Sequence, residues 1–189
     1  MNGIRRTTVA MVAALSLAGA GIAAAGAPAI FTTHTAEANV YVNPSLARLH
    51  PAEAYLPLVI GVVNNAYQSV HLTRGSFALE TKSGASPAIS VAELRKSYGK
   101  IVFDRRQLET MDVVKVLGLQ GLISVPSNFY PVVRNEGSVL TPIVQLPRRY
   151  YTWDVLYFKR PVGLKPGDTF TVVVSAKSWK KPIRVKVTL

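Results

Sequence analysis

Hydrophobic and polar positions alternate along most of this chain with the two-residue period of strands, and two valine-rich runs stand out. The first, Leu56-Pro-Leu-Val-Ile-Gly-Val-Val-Asn-Asn65, is the most apolar stretch beyond the N-terminal segment and stops at paired asparagines. Leu56, Leu58, Ile60 and Val62 share one face of a strand, and Tyr55, Val59 and Val63 share the other. Both faces are apolar, which predicts an interior strand; Pro57 sits near its start, where a missing amide donor does least harm. The second run, Thr169–Ser175, follows the turn Lys165-Pro-Gly-Asp168 and points Phe170, Val172, Val174 and Ala176 inward. The two runs are expected to be central strands of one antiparallel β-sandwich.

Shorter strands are expected around them. Val40–Val42 alternates and meets Asn43-Pro44, which ends it; Val70 and Leu72 share a face, leaving His71 toward solvent. Phe77 and Leu79 alternate with Ala78 and Glu80, and Lys82–Pro87 has the composition of a turn. Trp153, Val155 and Tyr157 alternate with Asp154, Leu156 and Phe158. At the end, Ile183, Val185, Val187 and Leu189 alternate with Arg184, Lys186 and Thr188, a half-buried strand whose outward cations discourage edge-to-edge pairing.

The pattern changes character at about 90–138. Ser90-Val-Ala-Glu93 fits a capping box, in which hydroxyl and carboxylate each satisfy an amide at a helix start. Gly99 is a plausible stop, Asp104 a cap for a short helix through Met111, and Gly118, Gly121, Pro126 and Pro131 then break the chain into short apolar pieces. This reads as a partly helical insertion between strands, and such excursions carry function or cover a sheet edge.

Residues 1–38 read as a targeting segment: Arg5 and Arg6, an Ala/Gly/Leu/Val run over Val9–Ala25, and small-residue cleavage patterns at Ala23-Ala24-Ala25 and Ala36-Glu37-Ala38. Cleavage is expected after Ala38, giving an exported domain over 39–189 with no membrane span of its own, in periplasm or extracellular space. Retention of the run as an anchor is the competing reading, and the Arg pair is a poor match to twin-arginine export.

Composition narrows the chemistry. The chain has 189 residues and no cysteine, which excludes disulfides, thiolate nucleophiles, cysteine zinc sites and a lipoprotein anchor thiol. With 22 Lys+Arg against 10 Asp+Glu the formal charge is +12, favouring anionic partners such as lipid headgroups, acidic polysaccharide or an acidic protein of the envelope; nucleic acid is not the expected one. His50 and His71 show no paired metal spacing with Glu53, no nucleophile elbow accompanies Ser69 or Ser76, and no glycine loop cradles phosphate. No enzyme and no cofactor is expected. A structure that set His50 or His71 in a cleft against Asp104 or Asp154 would reopen catalysis.

The most suggestive surface is basic and aromatic: Arg148, Arg149, Tyr150, Tyr151 and Trp153, with Lys159 and Arg160 at the far end of the same strand. Guanidinium forks pair with phosphate or carboxylate, and aromatic faces stack on sugars. The alternative is that Tyr151, Trp153 and Tyr157 are core and the arginines a solvated strand end. Lys177, Lys180 and Lys181 flank Trp179 in a last hairpin suited to an anionic membrane surface or to an ordinary polar turn.

In order, Pro51–Asn65, Leu72–Gly84 with its Leu-Thr-x-x-Ser-Phe-x-Leu pair of strands, and Leu156–Ala176 with Leu-Tyr-Phe-x-x-Pro and Pro-Gly-Asp, resemble the immunoglobulin-like domains of bacterial exported proteins. Ala52 departs from the glycine usual in that turn, and the insertion at 90–138 is an addition. The resemblance implies an all-β immunoglobulin-like sandwich with an accessory or binding role, and supplies no catalytic residues.

Overall fold

The computed structural model describes residues 30–82, 84–131 and 141–189. In chain order these form β1 (Phe31–His34), β2 (Ala38–Asn43), α1 (Ser45–Leu49), β3 (Tyr55–Asn64) and β4 (Val70–Leu72). A 3-10 turn (Arg74–Ser76) leads into β5 (Phe77–Thr81) and β6 (Gly84–Pro87). Helices α2 (Val91–Ser97), α3 (Ile101–Thr110) and α4 (Val113–Val116) follow, then β7 (Ile123–Ser124), β8 (Val144–Leu146), β9 (Tyr150–Lys159), β10 (Thr169–Val174) and β11 (Ile183–Thr188).

The strands make two sheets and a ribbon. One sheet has the order β1-β2-β3-β9-β7, antiparallel except for the β7–β9 pair, and the other has the all-antiparallel order β11-β10-β5-β6. The ribbon pairs β4 with β8. The fold is therefore mostly β and sandwich-like, with both valine-rich runs inside it: β3 between β2 and β9, and β10 between β11 and β5. All ten residues of β3 are buried, as apolar positions on both of its faces require. In β11 the buried and exposed positions alternate, with Arg184 and Lys186 outward. Phe77, Leu79, Phe170, Val172 and Val174 join Leu56, Leu58, Ile60, Leu156 and Phe158 in the main core.

The structure bears on three expectations. Residues before Asn39 also take part in the sheet: β1 pairs with β2 from Phe31↔Val42 to His34↔Asn39, and Ala38 is wholly buried. A cut after Ala38 would remove an edge strand and put a charged terminus into the sheet. The Arg pair, the Val9–Ala25 run and the pattern at Ala23–Ala25 lie outside the described residues. Lys82–Pro87 is more than a turn, because Gly84, at φ +127°, lets the chain reverse and pair as β6. Finally, Asp104 does not cap α3. Lys100 holds that position, and Asp104 lies buried inside the first turn.

The insertion is helical and then irregular, as its pattern predicts. Ser90 caps α2 by accepting from the Glu93 amide (3.1 Å), while the Glu93 carboxylate goes to Lys159. The segment closes the edge of β9 that β7 leaves open. Val125 N–H donates to Tyr151 O, Ser127 Oγ to Trp153 O and Ile89 N–H to Tyr157 O, at 2.8–2.9 Å. Those carbonyls would otherwise offer a template to another strand. Among the described residues no helix is long and apolar enough to cross a membrane.

Candidate functional site

Pairing registers decide which loops share an end of the sandwich. Thr33 Oγ1 of β1 donates to Arg184 O of β11 (2.9 Å), which sets the two sheets level along one side. The sheet ends at Ala38, Asn64 and Tyr151 then lie with those at Phe77, Val174 and Ile183. The β4–β8 ribbon spans between them. Asn64 Nδ2 holds Leu146 O at one side, and Ser175 N–H holds Ser76 O at the other.

That end is basic. Arg148 and Arg149 precede β9, Arg74 precedes β5, and Lys177, Lys180 and Lys181 belong to the β10–β11 hairpin. Arg148, Arg149 and the three lysines are exposed, and none forms an ion pair among the described residues. The Arg148 guanidinium lies 3.9 Å over the centroid of Tyr67, a ring 85% exposed, so the aromatic face fixes the cation without neutralising it. Arg149 takes φ 66°, and its amide donates to Asn64 O (2.8 Å), which turns the chain sharply into β9. Beside Lys177 lies a cleft of about 740 Å³, lined by His71, Thr73, Ser76, Ser175, Lys177 and Ser178 among others. His71 is exposed on the ribbon.

The basic–aromatic strand expected from the sequence is split by this geometry. Lys159 and Arg160 lie at the opposite end of β9. Lys159 pairs with Glu93 (3.3 Å), and Arg160 donates to the carbonyls of Ala47, His50 and Glu53, tying down the turn before β3. Tyr151 is buried in a satellite core with Val63, Val113 and Leu119, against which the half-buried Trp153 packs. Tyr150 is half-buried at the start of β9. Trp179 is 8% exposed and joins the main core, so it anchors the hairpin from inside and is not an insertion residue. Of the expected binding residues, Arg148, Arg149, Lys180 and Lys181 remain available at one end, joined by Lys177 and by Tyr67, which nothing in the sequence links to Arg148.

Two buried, hydrogen-bonded carboxylates tie the insertion to the sandwich. His50 Nε2 lies 2.9 Å from Asp104 Oδ1, and Tyr98 Oη donates to Asp104 Oδ2 (2.7 Å). Burial raises the Asp104 carboxyl above its ordinary value, against the lowering effect of its hydrogen bonds from Tyr98 and His50. Burial, and then the hydrogen bond to Asp104, pushes the Tyr98 phenol far up. This is the His50–Asp104 pairing that would reopen catalysis, but it is enclosed. His50 is 6% exposed, Asp104 is wholly buried, and the imidazole packs edge-on against Tyr98 and Phe103. Glu53 turns instead to Lys100 (2.7 Å), while His71 faces out from the ribbon.

The second cluster centres on Asp154, 1% exposed on β9. Its Oδ1 accepts from Arg105 (2.5 Å) and from the Val155 amide, and its Oδ2 from the Phe129 amide. Arg105 also reaches Asn128 Oδ1 (2.7 Å). Burial pushes Asp154 up to about 6, with the Arg105 charge as the largest opposing effect. Both clusters bind the insertion to the sandwich.

In comparison with known proteins the chain matches no family model, no curated protein and no solved structure.

Proposed function

We propose that this protein is an exported, non-enzymatic, immunoglobulin-like binding module that docks on anionic surfaces, either polysaccharide or lipid headgroups, through the basic end of its sandwich. One observation carries the reading. Arg148, Arg149, Lys177, Lys180 and Lys181 come from chain segments far apart in sequence and gather at one end without ion pairs among the described residues. At the other end Arg48, Lys82, Lys100, Lys159, Arg160 and Lys165 mix with Glu53, Glu93 and Asp168, and Lys100 and Lys159 are paired with carboxylates. Unpaired exposed cations on one face raise the local concentration of a polyanion and hold it by counterion release. The immunoglobulin-like reading draws support from two packed sheets, antiparallel but for the short β7–β9 pair, whose loops cluster at their ends. The enclosure of His50 and Asp104 supports a structural role for that pair.

The test is co-sedimentation with vesicles of zwitterionic lipid, with and without anionic phospholipid, beside retention on an acidic polysaccharide matrix. Binding to an anionic arm should weaken steeply with salt. Each lysine near such a surface contributes about 1 kcal/mol, so Lys177→Ser/Lys180→Ser/Lys181→Ser should weaken binding on the order of 100-fold. The arm that retains the protein names the source of the anion. Absence of binding to both arms at low salt, or binding indifferent to salt, overturns the reading.

A further inference from the structure

The insertion leaves a hollow on the outer face of the five-stranded sheet. Its floor is Tyr41, Asn43, Val59 and Gly61 on β2 and β3; its roof is Met111, Val113, Val116 and Leu117, in and around α4. The cavity measures about 240 Å³. Asn43 is the one polar side chain of the floor besides the Tyr41 phenol, and its amide oxygen is already taken by the Ser45 amide (2.8 Å). No charged side chain lines the space.

The roof is held from one side. Asp112 caps α4 through the Lys115 amide (3.1 Å), and Gly118, at φ +64°, ends it. Val113 and Leu119 then root the segment in the satellite core with Val63 and Tyr151. On the floor, Gly61 stands where β3 is otherwise all side chain; a Cβ there would come 3.1 Å from Leu117 Cδ1. Glycine in a strand interior marks a close approach of backbone or ligand. The roof therefore touches the sheet at Gly61 and stands off it alongside, with Val116, 46% exposed, at the rim.

From this arrangement we infer that the hollow between α4 and the sheet is a binding site for a small uncharged apolar molecule or hydrocarbon chain end. An enclosed engineered apolar cavity of about 150 Å³ takes benzene; this hollow, open at its Val116 rim, has room for such a molecule, and its apolar walls offer water few partners to replace. A charged ligand finds no counter-ion there and would lose its hydration without replacement. The site is separate from the basic end and does not depend on it.

The test uses the full chain and N-phenyl-1-naphthylamine, an uncharged fluorophore that brightens in apolar surroundings, with displacement by 1-octanol. The expected result is saturable one-site binding, unchanged in about 1 M NaCl and in the Lys177→Ser/Lys180→Ser/Lys181→Ser variant, because salt screens charge and leaves apolar burial intact. Val116→Trp, which fills the hollow from its exposed rim, and Gly61→Val, which fills it from the floor, should each weaken binding at least about tenfold. Should Gly61→Val not fold, the rim variant decides. Binding that is non-saturable, or undiminished in Val116→Trp, overturns the inference. Displacement of the fluorophore by a peptide of residues 9–25 but not by octanol also overturns it, and assigns the hollow to the chain's own apolar segment.

Discussion

Replacing Arg105 with Ala gives the sharpest quantitative test of how the insertion is fixed to the sheet. Arg105 supplies the charge facing Asp154, which keeps two amide donors, from Phe129 and Val155, when the guanidinium is gone. The loss has two parts. One is independent of pH: the fork to Asn128 and the packed stem, together about 1–2 kcal/mol. The other comes from linkage. Asp154 has an ordinary value of 3.8 and a folded value of about 6, so its protonation favours the fold. Its contribution is fully present below about 3.8 and is lost as pH rises through about 6. In the variant the folded value climbs further, and at pH 7 the buried carboxyl stays protonated. Relative to wild type, the extra cost at pH 7 is about 1 kcal/mol, and near zero at about pH 5, where both proteins hold the proton. Urea unfolding should therefore show a loss of about 2–3 kcal/mol at pH 7 that shrinks by about half at pH 5. Equal losses at the two pH values would refute the assignment of Arg105 as the charge that keeps Asp154 ionised.

Other expectations follow from contacts already described. Arg160→Ala should lower stability by about 2–3 kcal/mol, since carbonyls of Ala47, His50 and Glu53 lose a charged donor, and Arg160→Lys should recover only part because it lacks the fork; a urea midpoint unchanged in the Ala variant contradicts this. His50→Leu leaves Asp104 buried with only the Tyr98 and Tyr157 phenols beside it, and should cost about 2–4 kcal/mol, with much of that recovered in His50→Leu/Asp104→Leu; a double variant as unstable as the sum of the singles contradicts the pairing. A chain beginning at Asn39 loses β1, the Thr33–Arg184 link and the Thr35–Asn65 contact, and should be about 2–4 kcal/mol less stable than one beginning at Ile30; equal melting temperatures would show β1 to be dispensable.

Much of the sandwich was legible because its strands obey a period of two. In β3, β10 and β11 the apolar positions alone say which way each residue faces, and the two-sided burial of β3 follows from apolar residues at both parities. β1 escaped for the opposite reason. Phe31-Thr-Thr-His34 is polar and alternates weakly, as an edge strand exposed on one side must, and it follows directly on an apolar segment that masks it. The partners of Asp104 and Asp154 were not legible. A buried carboxylate is chosen by three-dimensional neighbours, and His50 and Arg105 lie 54 and 49 residues from theirs. The basic–aromatic strand misled by proximity in sequence: in a strand ten residues long, Arg149 and Lys159 stand at opposite ends of the domain, while Tyr67 and Arg148, distant in the chain, touch.

The position of β3 has a kinetic consequence. It takes β2 as a neighbour as soon as both are made, but its other neighbour is β9, paired from Val63↔Tyr151 to Tyr55↔Lys159, and that strand is synthesised only after the whole insertion. Until then the most apolar strand of the domain has a bare edge, and closing the sheet must first overcome the entropy of a long loop. Refolding is accordingly expected to be slow for a domain of this size, with a collapsed species that aggregates as concentration rises. A nascent chain halted before Tyr150 would carry the core's central strand with no way to complete it.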